Sequence, residues 1–180
     1  MKRRLFLFLY YSFAIYLPVS HTRLGRILHV KKIRYLICRR IFKHCGKNVN
    51  VEKGAQFGNG FDIEIGDNSG LGVDCIVPNN IVIGENVMMG PNCVILSQNH
   101  RFDRVDIPMI LQGYQIGGGK SMIDSDVWIG RDVLMTPGRH IKTGSIIGAG
   151  CVLTKDFPEY SIVGGNPSKL IRSRLESKKD

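Results

Sequence analysis

The sequence predicts an all-β core built as a parallel β-helix, preceded by N-terminal α-helices. Three observations predict it. From Lys47 onward a small or aliphatic residue recurs every six positions. Gly, Asn and Asp crowd the positions between, where a chain must turn. Before Lys47 the apolar residues fall instead at spacings of three and four, the period of a helix. A six-residue period fits neither an amphipathic helix nor an alternating strand. It suits a coil of three flat sides, one hexad to a side, with successive coils stacked to bury their inward residues.

The chain opens on "MKRRLFLFLYYSFAIYLPVSHTR", a basic start and an apolar run from Leu5 to Leu17. A secretory signal peptide has a similar start, but Pro18-Val19-Ser20 is a poor small-residue cleavage site. The run is too short for a transmembrane span, and Pro18 ends it. It is read as an uncleaved interfacial segment, the plainer alternative being a helix that packs on the rest of the protein. Residues 23–44 read as one helix, with Leu24, Ile27, Leu28, Ile33, Leu36, Ile37 and Ile41 on one side and Gly46 as its stop. The expected organisation is a basic helical segment over 1–46, a β-helix over 47–172 with an inserted loop at 97–122, and a basic tail at 173–180.

Charge is concentrated at one end. The 180 residues carry a formal +10, yet residues 1–47 hold 12 Lys/Arg and no Asp or Glu. The rest of the chain holds 13 Lys/Arg against 15 Asp/Glu, a net −2. That pattern calls for a local anionic partner, a membrane surface or a phosphorylated ligand. No nucleic-acid motif accompanies it, and no nucleic-acid partner is expected. Five cysteines without a C-x-x-C signal neither a disulfide framework nor a zinc ribbon, so a reducing compartment is the default.

Cut into hexads from Lys47, the chain places Val51, Phe57, Ile63, Ser69, Cys75, Ile81, Val87 and Cys93 in the fifth place. Ile65, Leu71, Val77, Ile83, Met89 and Ile95 stand in the first. The pattern returns with Ile123, Ile129, Met135, Ile141, Ile147 and Leu153, and Arg139 breaks its fifth-place rule. The interval from Ile65 to Ile129 is not a multiple of six, so Ser97–Met122 carries an insertion. Cys75, Cys93 and Cys151 sit in fifth places and read as core filler.

"DVWIGRDVLMTPG", "IIGAGCVLTKDFPEYSIVGGNPSKLI" and "NHRFD" make the pattern specific. Over 47–172 the chain resembles the left-handed β-helix, hexapeptide-repeat O-acetyltransferases, a group that includes galactoside and maltose acetyltransferases. "NHRFDRVDIPMILQGY" is most similar to enzymes that acetylate surface polysaccharides or their precursors. The resemblance implies a cytoplasmic homotrimer with active sites between coils, acetyl-CoA as donor, a carbohydrate acceptor and no metal. It makes His100 the general base, a task that imidazole suits near neutral pH. Asp103 and Asp106 are candidates to orient its ring.

For the donor, the resemblance places Trp128, Arg131 and Ala149 beside the acetyl and pantetheine portions. It places Thr154, Lys155, Lys169 and Arg172 at the nucleotide phosphates. Asp74, Asn80 and Asn99 are the acceptor candidates. Three departures stand out: Leu111 where relatives often carry a Glu, Arg131 where a smaller residue is usual, and Gly72 in place of an acceptor-binding Asn. Residues 1–47 are expected to make peripheral contact with the inner face of the cell membrane. Two other functions compete: a non-catalytic scaffold docked on membrane, and a carbonic anhydrase-like metalloenzyme. The latter needs three histidines around zinc, whereas only His100 and His140 lie beyond residue 47. His140, inside a regular hexad, reads as structural or solvent-facing.

Overall fold

The computed structural model describes residues 2–115 and 119–176. Residues 177–180 of the expected basic tail and 116–118 of the expected loop lie outside the described residues. A three-sided parallel solenoid accounts for most of the chain. Its first face stacks β1 (His44–Cys45), β3 (Glu64–Ile65), β5 (Val82–Ile83), β8 (Met122–Ile123) and β11 (His140–Ile141). The second stacks β2 (Asn50–Val51) on β4 (Gly70–Leu71), continues through β6 (Met88–Met89), β9 (Trp128–Ile129) and β12 (Ile146–Ile147), and closes with β14 (Ser161–Gly164). An antiparallel strand, β15 (Lys169–Ser173), pairs with β14 at that end. The third face runs from bridges at Gln56, Ile76 and Val94 through β7 (Val94–Ile95), β10 (Leu134–Met135) and β13 (Val152–Leu153).

The registers show where coils depart from regularity. Ile65 pairs with Ile83, one coil of three hexads further on, whereas Ile83 pairs with Ile123, an interval longer than two such coils. The excess leaves the solenoid after the third face and rejoins it at the first. Cys45 pairs with Ile65 and Val51 with Leu71, intervals that each exceed three hexads by two positions. The first coil is therefore longer than a regular one. This corrects the hexad cut there: Val51 stacks beneath Leu71, a first-place residue, and is not a fifth-place one. The extra positions lie between Phe57 and Glu64, where Gly58 and Gly60 both take positive φ. The first strand also begins at His44, ahead of the boundary expected at Lys47.

Inward residues fill the solenoid. Ile65, Leu71, Ile83, Ile123, Ile129, Met135, Ile147 and Leu153 are buried, as are the fifth-place Cys75, Val87, Cys93, Val127 and Cys151. The cysteines are unpaired, and burial pushes their thiols up, as expected of filler. Arg139 turns out of the stack toward Asp156, 3.8 Å away. Corners are tight. At Gly72 a Cβ would lie 2.0 Å from the Gly90 carbonyl, and at Gly130 one would lie 2.6 Å from the Ala149 nitrogen. Other corners use Asn at positive φ, and Asn48, Asn68 and Asn86 form a side-chain ladder with steps of 3.1 and 3.2 Å.

The N-terminal residues close the open end of the first coil. α1 (Lys2–Ser12) buries Tyr10, whose hydroxyl donates to the Ala55 carbonyl at 2.7 Å and whose ring meets Phe57 at 4.6 Å. The helix expected over 23–44 is two helices, α2 (Arg23–Ile27) and α3 (Val30–Cys38), separated by His29 at φ 50°. The break lets each helix present its own inward residues. Gly25 of α2 packs so closely on the Val19 carbonyl that a Cβ would be 2.1 Å from it. Val30, Arg34 and Cys38 of α3 are fully buried. Capping thus covers strand edges that would otherwise be unpaired.

Candidate active site

The insertion is an arm, not a loose loop. Gln115 donates its N–H to the Asn99 carbonyl at 2.9 Å, and Arg101 to the Gly113 carbonyl at 3.0 Å. His100 therefore sits opposite Tyr114 in an antiparallel bridge, and their rings stack with centroids 4.4 Å apart. The imidazole is exposed on one side and held by an aromatic plane on the other. Gln112 knits the tip, accepting from the Arg104 N–H and donating to the Arg104 and Ile107 carbonyls. Tyr114 and Gln112 were passed over in the sequence. The signal available was the "QGYQ" that follows the arm's apolar tip.

Neither acidic candidate for orienting His100 does so. Asp103 takes a bidentate pair of bonds from Arg101, at 2.9 and 3.1 Å, and Asp106 is held the same way by Arg104. The arginine hydrogen bonds hold both carboxyls below the usual range. Each Arg–x–Asp triplet therefore closes on itself. The arm also exposes Phe102, Val105, Met109, Ile110 and Leu111.

Beneath the arm root lies a cavity of about 380 Å³ on the third face, lined by Ile76, Asn79, Val94, Leu96 and Ser97. Asn80 follows at the same corner. Asp74 is at the other corner of that face, in a left-handed conformation (φ 54°). The structure therefore does not bring Asp74 and Asn80 together, while Asn99 is part of the arm.

The donor candidates flank the same third face in the later coils. Arg131 and Ala149 stand on adjacent coils at one corner, linked by the Gly150 N–H to the Arg131 carbonyl at 2.9 Å. Both are exposed, and the Arg131 side chain folds aside onto Asp132 at 2.9 Å. At the opposite corner Thr154 and Lys169 converge, because Ser168 accepts from the Thr154 N–H at 3.1 Å. Lys155 lies over the Phe157 ring at 5.5 Å, and Arg172 is on β15 opposite Ile162. Lys155, Lys169 and Arg172 are exposed and make no ion pair among the described residues. Trp128 stands apart on the second face, half exposed, in register with Met88 and Ile146.

His140 is engaged: its Nε2 lies 2.8 Å from Asp124 Oδ1 on the coil below. Among the described residues no cluster of His, Cys, Asp or Glu could hold a metal ion. No helix among them is long and apolar enough to cross a membrane.

No family model matches the chain. A maltose O-acetyltransferase from Clostridium difficile 630 superposes with a TM-score of 0.73 at 32% identity, covering 96% of this chain and 86% of that one. A galactoside acetyltransferase in complex with coenzyme A superposes with a TM-score of 0.73 at 26% identity, covering 96% and 80%. The galactoside O-acetyltransferase of Escherichia coli K12 is 29% identical over 141 residues, which is 77% of this chain and 68% of that protein. With its coils of three hexads and an identity of 32% over most of the maltose enzyme, the chain belongs to the hexapeptide-repeat acetyltransferases, enzymes of left-handed β-helix fold.

Proposed function

We propose that the protein transfers an acetyl group from acetyl-CoA to a hydroxyl of a sugar or surface-polysaccharide precursor, with His100 as general base. The observation that carries this reading is the arm itself. One long insertion into the solenoid folds into a hairpin that presents an exposed imidazole. Acetyl-CoA supplies the acyl group as a thioester. His100 takes the proton from the acceptor hydroxyl as its oxygen bonds to the acetyl carbon. The C–S bond then breaks, and the departing thiolate is protonated to the free thiol. Stacking on Tyr114 steadies the ring plane, and among the described residues His100 forms no ion pair.

The cations fit the donor. Lys155 and Lys169 follow Thr154 and Ser168 at the corner where those two meet, Arg172 lies further along β15, and cations without ion-pair partners suit nucleotide phosphates. Lys155→Glu and Lys169→Glu are each expected to raise the KM for acetyl-CoA by roughly tenfold or more, with little change in the KM for acceptor. Steady-state kinetics with each substrate varied will read this. Unchanged acetyl-CoA dependence in both variants would reduce these lysines to surface charge.

The exposed apolar tip of the arm supports a homotrimer in which the arm lies against a neighbouring subunit. The N-terminal segment supports peripheral contact with the cytoplasmic face of a membrane. Leu5, Phe8, Phe13 and Tyr16 remain more than half exposed in the segment that begins with the exposed Lys2 and Arg4. Because Tyr10 and Ala14 belong to the core, removal of 1–22 would strip the cap, and point variants are the sounder probe. Vesicles rich in phosphatidylglycerol should bind the protein in low salt and release it in high salt. Phe8→Ser with Phe13→Ser should weaken that binding severalfold. Equal flotation of variant and wild type would leave capping as the segment's whole role.

A further inference from the structure

A large concavity lies away from the arm, under α2 and α3. It encloses about 730 Å³ and is lined by His21, Arg26, His29, Lys31, Lys32 and Tyr35, among others. A second cavity of about 420 Å³ continues it along the second face to Gly72, Met88 and Pro91. His21, Lys31, Asn48 and Asn50 line both, so the two form one groove. Its far end is one strand from Trp128, since Met88 and Trp128 are partners in register.

The charge of this groove is uncompensated. Arg26, Lys31 and Lys32 form no ion pair among the described residues. Glu52 is the one acidic residue of the lining, and its carboxylate is committed to Arg34, at 3.0 Å, and to Ser20 and Asn50. Lys31 is held in place at the junction of the two cavities by Asn48 Oδ1, at 2.7 Å. Lys31 and Lys32 also occupy the first turn of α3, which contains no acid. Cations there oppose the positive end of the helix and cost stability. An arrangement unfavourable in the empty protein becomes favourable around an anion, which the helix end and the cations would bind together.

We propose that this groove binds the phosphate of a phosphorylated acceptor, a glycosyl phosphate or diphosphate, and directs its sugar toward Met88 and Trp128. The acceptor role rests on the acetyl-transfer reading; the phosphate site does not. Two carriers share this chemistry, a soluble nucleotide and a membrane-bound polyprenyl lipid.

The test is calorimetric titration of the full-length protein with inorganic pyrophosphate. Three proteins are compared: wild type, the triple variant Arg26→Gln/Lys31→Gln/Lys32→Gln, and Lys155→Gln/Lys169→Gln. The triple variant should bind pyrophosphate at least tenfold more weakly, and the double variant should retain the groove's affinity. The triple variant should also melt close to wild type, because removing Lys31 and Lys32 relieves the positive end of α3 while removing Arg26 takes a favourable cation from the last turn of α2. Wild-type affinity in the triple variant, affinity that depends only on Lys155 and Lys169, or no binding at all would overturn the inference. Uridine diphosphate and a polyprenyl diphosphate in phosphatidylcholine vesicles form two further arms. Groove-dependent binding of either supports the site and identifies the carrier, and groove-independent binding of both counts against it. Groove-dependent binding by a protein that transfers no acetyl group would sustain the site and sink the enzymatic reading. Acetyl transfer with groove-independent binding would do the reverse.

Discussion

Replacing His100 with alanine is expected to lower acetyl transfer by about 10²–10⁴-fold, the usual contribution of a general base. Stability and acetyl-CoA affinity should stay close to wild type. The imidazole contributes to no coil: it sits on an arm outside the solenoid, and its main partner is the face of Tyr114. The bonds that shape the arm are made by the backbones of Asn99, Arg101, Gly113 and Gln115, which the substitution leaves in place. Single-turnover rates at saturating acetyl-CoA give the cleanest reading, with a melting curve as control. Transfer retained within about tenfold would remove His100 from the role of base.

The largest expected effect on stability is that of Arg34→Ala, a loss on the order of 3–5 kcal/mol. Arg34 is fully buried. Its guanidinium donates to the Leu17 and Pro18 carbonyls at 3.2 and 3.0 Å, to the Val51 carbonyl, and to Glu52 at 3.0 Å. One side chain thus ties α3, the connector at 17–20 and the first coil together. Alanine takes a donor from three carbonyls and leaves Glu52 without its counter-charge, and Arg34→Lys cannot restore the fork. Denaturant unfolding will measure the loss, and a change below about 1 kcal/mol would show that the cap does not depend on this residue.

The same cluster gives a pH dependence. Burial pushes the Glu52 carboxyl up, but bonds from Ser20 and Asn50 and the charge of Arg34 outweigh it and hold it below the ordinary value. A depressed carboxyl stabilises the fold above its unfolded-state pKa. That contribution is lost as pH falls through the lower folded-state value. The cap should therefore loosen in acid, below the ordinary carboxylate range, and not near neutrality. Melting curves recorded across the acid range will check this, and a loss of stability centred near neutrality would contradict it.

The six-residue period, the interruption at Ser97 and the helical spacing before Lys47 were legible because each records a local fact: which side of the chain faces inward. The arm's existence follows from phase alone, since the interval from Ile65 to Ile129 cannot be divided into hexads. What the period could not record is how coils align. The lengthened first coil moved Val51 and Phe57 into different columns, because the positions added between Phe57 and Glu64 shift everything before them. Nor could spacing reveal the break at His29, which is set by where Gly25 and Val30 must each be buried.

Partnerships across the chain were hidden most completely. Asp103 and Asp106 looked available to His100 until the folded arm turned each onto the arginine two residues before it. Tyr114 became the partner because the hairpin register set it opposite. The basic N-terminal segment admitted two uses on sequence grounds, membrane contact and capping. Only the packed structure joined Tyr10 to Ala55, committed Arg34 to Glu52, and left Arg26, Lys31 and Lys32 around a groove. Composition announces that a cation is present. Whether it is neutralised depends on which carboxylates the fold brings within reach, and tertiary structure alone decides that.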